Sequence, residues 1–160
     1  DAVMGTEKTS WEEAKADILG LFMVTKLVEM GEITNITAED AITTYIAGIL
    51  RSVRFGAASS HGKANMMCFN YMEKAGAFTR DAQGQYVIDF QKAKEAMNSW
   101  AALILKTQGD GNVEFATKYR AENGGITPEL QADLDKINSA GIPRDITFIQ
   151  GKDVLFGETK

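Results

Sequence analysis

The sequence has one cysteine, one histidine, no excess of positive charge and no long apolar run, and each shortage removes a class of function. A lone Cys68 rules out an internal disulfide framework and fits a reducing, cytoplasmic setting. With His61 as its only histidine, the chain cannot by itself supply an ordinary catalytic zinc site, which takes three protein ligands with histidine among them. A formal net charge of -5 argues against nucleic acid as the main partner, because phosphate binding needs a clustered excess of Lys and Arg. The longest apolar run, ILGLFMV at residues 18–24, falls well short of the ~20 residues that cross a bilayer, so no membrane partner is expected. What is present is ordinary for a globular protein: 44% hydrophobic and 24% charged residues in a chain of 160. That length can bury a real core. With no repeat, low-complexity tract or dividing linker, residues 1–160 read as a single helical domain.

Helical periodicity dominates the pattern. A first helix is expected from about Glu12 to Met30, with Ser10 as N-cap and Glu13 at capping-box spacing. Thr9 with Glu12 offers the same pattern one residue earlier. Because few residues between Ala16 and Met30 are polar, this helix is expected to be buried on nearly every side. Thr37 with Asp40 opens a second helix that ends near Gly56. A third runs from about Ser60 to Lys74 and stops at Gly76. AFTRDAQGQYVIDF then reads as a hairpin around Gly84, and Asp89 caps a long fourth helix that ends at Gly109. Two shorter helices follow, around NVEFATKYRAE and around TPELQADLDKINSA, with Pro128 at an N1-like position. A strand is expected over DITFIQ. The class is mainly α with a small β-hairpin. Cys68, Trp100 and the seven methionines read as core, and Lys92, Lys94 and Glu95 as a solvated face.

The stretch SWEEAKAD needs a separate account. Acidic residues in a first helical turn are worth roughly 0.3–1 kcal/mol each against the helix dipole, and Glu12 and Glu13 could do no more than that. Asp17 is harder to explain, since it lies inside the apolar run and shares a face with Glu13 at i, i+4. An unpaired buried carboxylate is expensive, and a metal or a metal-bound histidine would be a suitable partner. The small residues Ala14, Ala16 and Gly20 would let another backbone approach closely.

Glu12-Glu13-Ala14-Lys15-Ala16-Asp17 resembles the EExxA(E/D) signature of the dipeptidyl peptidase III family of zinc metallopeptidases. Ser60-His61-Gly62-Lys63-Ala64-Asn65 resembles the family's (A/S)HxxA(R/N) helix at a comparable distance downstream. The resemblance implies a place in the zinc-bearing helical lobe of a larger two-lobed peptidase that cuts short peptides. It makes Glu13 the third zinc ligand and Glu12 and Asp17 the carboxylates that orient histidine ligands. It assigns His61 to stabilising the transition state of peptide hydrolysis and Asn65 to binding substrate. The other two ligands and the general base would come from an upstream HExxGH motif. That motif is missing here, so the chain is expected to be a C-terminal piece of a longer protein, inactive alone, whose partners are a peptide and the rest of its parent. Asn65 stands where well-known members have a substrate-binding arginine, and Ala14 where they have cysteine. Some relatives carry an appended nudix module, but no nudix box surrounds Glu12-Glu13. The competing expectation is a non-catalytic helical peptide-binding or interaction domain in which SWEE only caps a helix.

Overall fold

In the computed structural model, which describes residues 3–146 together with Gly151 and Gly157, the chain enters through a 3₁₀ turn at Gly5–Glu7. Six helices follow among the described residues: α1 Lys8–Glu29, α2 Ala38–Val53, α3 Ser60–Lys74, α4 Phe90–Gly109, α5 Val113–Asn123 and α6 Pro128–Ser139. Between α3 and α4 lies an antiparallel hairpin, β1 Phe78–Arg80 and β2 Tyr86–Ile88, with Phe78 opposite Ile88 and Arg80 opposite Tyr86. Helices α2 to α6 all start under a side-chain cap, Asn112 serving α5, and those of α2 and α4 are the caps expected from sequence. Thr37 and Asp40 make a reciprocal capping box on α2, while Ser59, Asp89 and Thr127 cap α3, α4 and α6 through side-chain oxygens. The strand expected at 145–150 falls mostly outside the described residues.

Helix α1 departs from expectation at its start. It begins a full turn earlier than Glu12, and Ser10 lies inside it, buried, instead of capping it. Neither SWEE pattern forms a capping box, because Glu7 occupies the N-cap position and makes no capping bond. A tertiary contact overrides the local signal. The Glu7 carboxylate is almost wholly buried and receives the Arg120 guanidinium of α5, through Nη2 at 2.7 Å and through Nε. That pair fixes where the chain enters the helix.

Helices α1 and α3 are the centre of the packing. α1 touches α2, α3 and α4, and α3 also meets α5 and β1. Ala64, Met66, Met67, Cys68, Phe69 and Met72 of α3 are all buried. Trp11 and Trp100 are fully buried with ring centroids 5.9 Å apart, and Tyr119 packs on both, at 5.9 and 5.3 Å. This aromatic block fixes the rotation of α1 immediately before Glu12 and Glu13. Two expectations need correction. Met23 and Met30 are exposed, at 60% and 71%, and Ala16 and Gly20 are also exposed. α1 is therefore open along one strip, because its described neighbours cover its other faces. No helix among the described residues is long and apolar enough to cross a membrane.

Candidate active site

Two helices build the site. Glu13 and Asp17 stand one turn apart on α1, and the start of α3 places His61 against them. His61 Nδ1 lies 3.0 Å from Glu13 Oε2, joining residues 48 apart in sequence. Both side chains are about half exposed, at 50% and 44%, so solvent reaches the pair. An ionised carboxylate only accepts, so the proton in this contact belongs to Nδ1, and Nε2 is the nitrogen left for any further partner.

Asp17 completes the group electrostatically. Burial raises its pKa above the usual aspartate value, the nearby His61 pulls it down, and the Glu13 charge pushes it up again. It lines a cavity of about 220 Å³ together with Tyr45, Ser52, His61 and Asn65. Asn65 is only 4% exposed, and its Nδ2 donates to Ser52 Oγ at 2.7 Å. A second hollow of about 500 Å³ shares Ser52 and His61 with the first and extends past Phe55, Gly56 and Ser59. His61 thus stands between two hollows.

The other candidates are placed differently. Glu12 lies on a flank of α1 that faces α4, where its Oε1 accepts from Lys15 Nζ and Gln108 Nε2, both at 2.8 Å. The Lys15 bond holds its carboxyl below the ordinary glutamate value, against the opposing effect of burial. Glu13, Asp17, His61 and Asn65 are therefore brought together, and Glu12 sits beside them turned toward Gln108. Cys68 is buried, with its Sγ 3.2 Å from the Tyr45 hydroxyl, and burial pushes its thiol up to about 12. A thiol held there is inert near neutral pH, in keeping with a packing role. Sequence inspection passed over Tyr45, Ser52 and Gln108. The spacing of Tyr45, Gly48, Ile49 and Ser52 is one face of α2 and marks that wall of the cavity. Among the described residues, no group of three or more His, Cys, Asp or Glu side chains is placed to hold a metal ion.

No protein-family model matches the chain. Over 139 residues it is 34% identical to Nudix hydrolase 3 of Arabidopsis thaliana, a match covering 87% of this chain and 18% of that protein. Two solved structures share its fold. DPP III from Caldithrix abyssi superposes with a TM-score of 0.84 at 26% identity, over 91% of this chain and 28% of that one. Dipeptidyl-peptidase III from Corallococcus sp. strain EGB gives 0.81 at 29% identity, over 91% of this chain and 27% of that one. The chain spans less than a third of each of these proteins. Over nine-tenths of its length, the chain is a dipeptidyl peptidase III-like fold region.

Proposed function

We propose that this chain is the part of a longer zinc-dependent dipeptidyl peptidase that carries one metal ligand and the oxyanion-stabilising histidine. The observation behind this reading is the 3.0 Å contact of His61 with Glu13 beside the half-buried Asp17, within a fold shared with dipeptidyl peptidase III. With Oε2 engaged by His61, Glu13 keeps its second oxygen for a metal ion. One carboxylate suits zinc as a single ligand of several, with the remaining ligands from outside this chain. When bound, zinc supplies Lewis-acid polarisation of a carbonyl and acidifies a water toward neutral pH.

The chain's own residues do the rest. His61 gives Nδ1–H to Glu13, so its Nε2 can donate to a developing oxyanion only when the ring carries both protons. Asp17, its pKa raised by burial, would accept a ring N–H from an incoming histidine and fix its tautomer, and Glu12 would do the same with its second oxygen. Asn65, held by Ser52, offers a neutral amide to the peptide backbone. The printed name of the plant relative does not bring pyrophosphohydrolase chemistry to this chain. The match covers 18% of that protein, and no nudix box surrounds Glu12-Glu13 here.

The test is zinc content of the full-length protein by elemental analysis, wild type beside Glu13→Ala. One zinc per chain, lost or greatly weakened in the variant, is expected. Equal zinc in both, or none in either, overturns the ligand assignment and favours a helical peptide-binding domain that does not cut.

A further inference from the structure

Gly62 is the third residue of α3, a position where alanine would be the better helix former. Its conformation is ordinary for a helix, so no left-handed backbone demands glycine there. Space does. A Cβ on Gly62 would stand 2.8 Å from Ala57 Cα and 2.9 Å from Gly56 O, both main-chain atoms of the segment joining α2 to α3. That segment is held at its far end. Val53 is buried in the core, and Arg54 grips Asn138 Oδ1 at 2.9 Å and the Ile142 and Pro143 carbonyls at 2.6 and 3.0 Å. At its near end, Ser59 Oγ accepts from the Gly62 N–H at 3.0 Å. A methyl group at 62 therefore has no flexible side chain to push aside. It must lift the start of α3 from the connecting segment.

We infer that Gly62 is a positioning residue for His61: the bare backbone at 62 lets α3 sit close enough to the 56–59 segment to hold the His61 ring against Glu13. The inference rests on the peptidase reading only for its consequence, the aim of Nε2 at a substrate. The contact itself can be measured without zinc or peptide, so failure here and failure of the zinc assay are separate results.

His61 is the only histidine of the chain, so the ¹⁵N spectrum of its imidazole is free of overlap. In the 160-residue chain, at a pH where the ring is neutral, the Nδ1–H tautomer should dominate, because the carboxylate sets which nitrogen is protonated. Glu13→Ala defines the spectrum of the ring without its partner. Gly62→Ala should lose the Nδ1–H preference and match Glu13→Ala, while circular dichroism still reports a helical fold. Gly109→Ala, where a Cβ would meet nothing within 4 Å, should match wild type. Should Gly62→Ala fail to fold, Ser59→Ala removes the other hold on the same N–H and should move the spectrum part of the way. A wild-type tautomer ratio in Gly62→Ala, or in Ser59→Ala where that variant is needed, overturns the inference, as does a wild type with no Nδ1–H preference.

Discussion

Two clusters of carboxylates in this chain are built on opposite principles. At the hairpin, Arg80 donates through Nε to Asp133 Oδ2 at 2.7 Å, through Nη2 to the Tyr86 hydroxyl at 2.8 Å, and through Nη1 to Glu73. Tyr86 in turn donates to the same Asp133 oxygen at 2.7 Å. Burial works against the Asp133 charge, yet Arg80 and Tyr86 hold its pKa below the ordinary value. At the start of α1 Glu12 is paired with Lys15 and Glu13 with His61, while Asp17 has the Glu13 charge and the imidazole for neighbours and burial raises its pKa. One cluster is complete and ties β1, β2, α3 and α6 together. The other is half exposed beside a cavity, with its carboxylates divided among Lys15, Gln108 and His61 instead of closed around one guanidinium.

If the comparison is right, the two clusters fail in different currencies. On the proposed peptidase reading, His61→Ala in the full-length protein should lower kcat by about 10²–10³ with little change in stability, the usual loss for one oxyanion donor. Arg80→Ala should do the reverse. It leaves Asp133 and Glu73 without their shared guanidinium, and a cost of about 2–4 kcal/mol is expected in urea denaturation, discounted for partial exposure. A large stability loss in His61→Ala, or none in Arg80→Ala, would erase the distinction.

The pH dependence sharpens it further. Asp133 has a depressed folded pKa, so its contribution is present above the unfolded pKa and is lost as pH falls through the folded value. Asp17 has a raised folded pKa, so the folded state is penalised as pH rises through that value. Asp133→Asn should therefore cost about 1–2 kcal/mol at neutral pH and progressively less in acid. Asp17→Asn should stabilise the chain at neutral pH by about 0.5–1 kcal/mol and converge on wild type below the carboxylate range. Thermal melts of both variants from pH 3 to 8 would show slopes of opposite sign. Parallel slopes would mean that the two carboxylates share one kind of environment.

How much of this was legible beforehand depended on whether the signal was local. The caps at Thr37 and Asp89, Pro128 and the Gly84 turn act within a few residues and were readable with the helical periodicity, so helices α2 to α6 and the hairpin could be placed from sequence. The caps Ser59, Asn112 and Thr127 were seen only in the structure. The family resemblance at 12–17 and 60–65 named Glu12, Glu13, Asp17, His61 and Asn65; the last four meet at one cavity wall or beside it, and Glu12 turns to Gln108. Tyr45 and Ser52 share a helical face that spacing marks, but only the packing of α2 and α4 against α1 shows that this face and Gln108 border the site. The exposure of Met23 and Met30 was equally hidden, since hydropathy marks a face as apolar without saying whether anything covers it.

The smallest effect separates two capping boxes that look alike in sequence. Thr37-x-x-Asp40 forms both reciprocal bonds, Asp40 N–H to Thr37 Oγ1 at 3.0 Å and Thr37 N–H to Asp40 Oδ2 at 2.8 Å. Ser10-x-x-Glu13 forms neither, because α1 has already begun at Lys8 and Glu13 has turned to His61. Thr37→Ala should therefore cost about 1 kcal/mol. Ser10→Ala, which removes a hydroxyl from inside a helix and adds a better helix former, should stay within about 0.5 kcal/mol of wild type. Chemical denaturation of the two variants side by side decides it. If Ser10→Ala costs as much as Thr37→Ala, the hydroxyl at 10 is capping after all, Glu13 is drawn back toward the helix start, and its contact with His61 loses its basis. If only Thr37→Ala costs, the second glutamate of SWEE is not held at the helix start and stays available to His61.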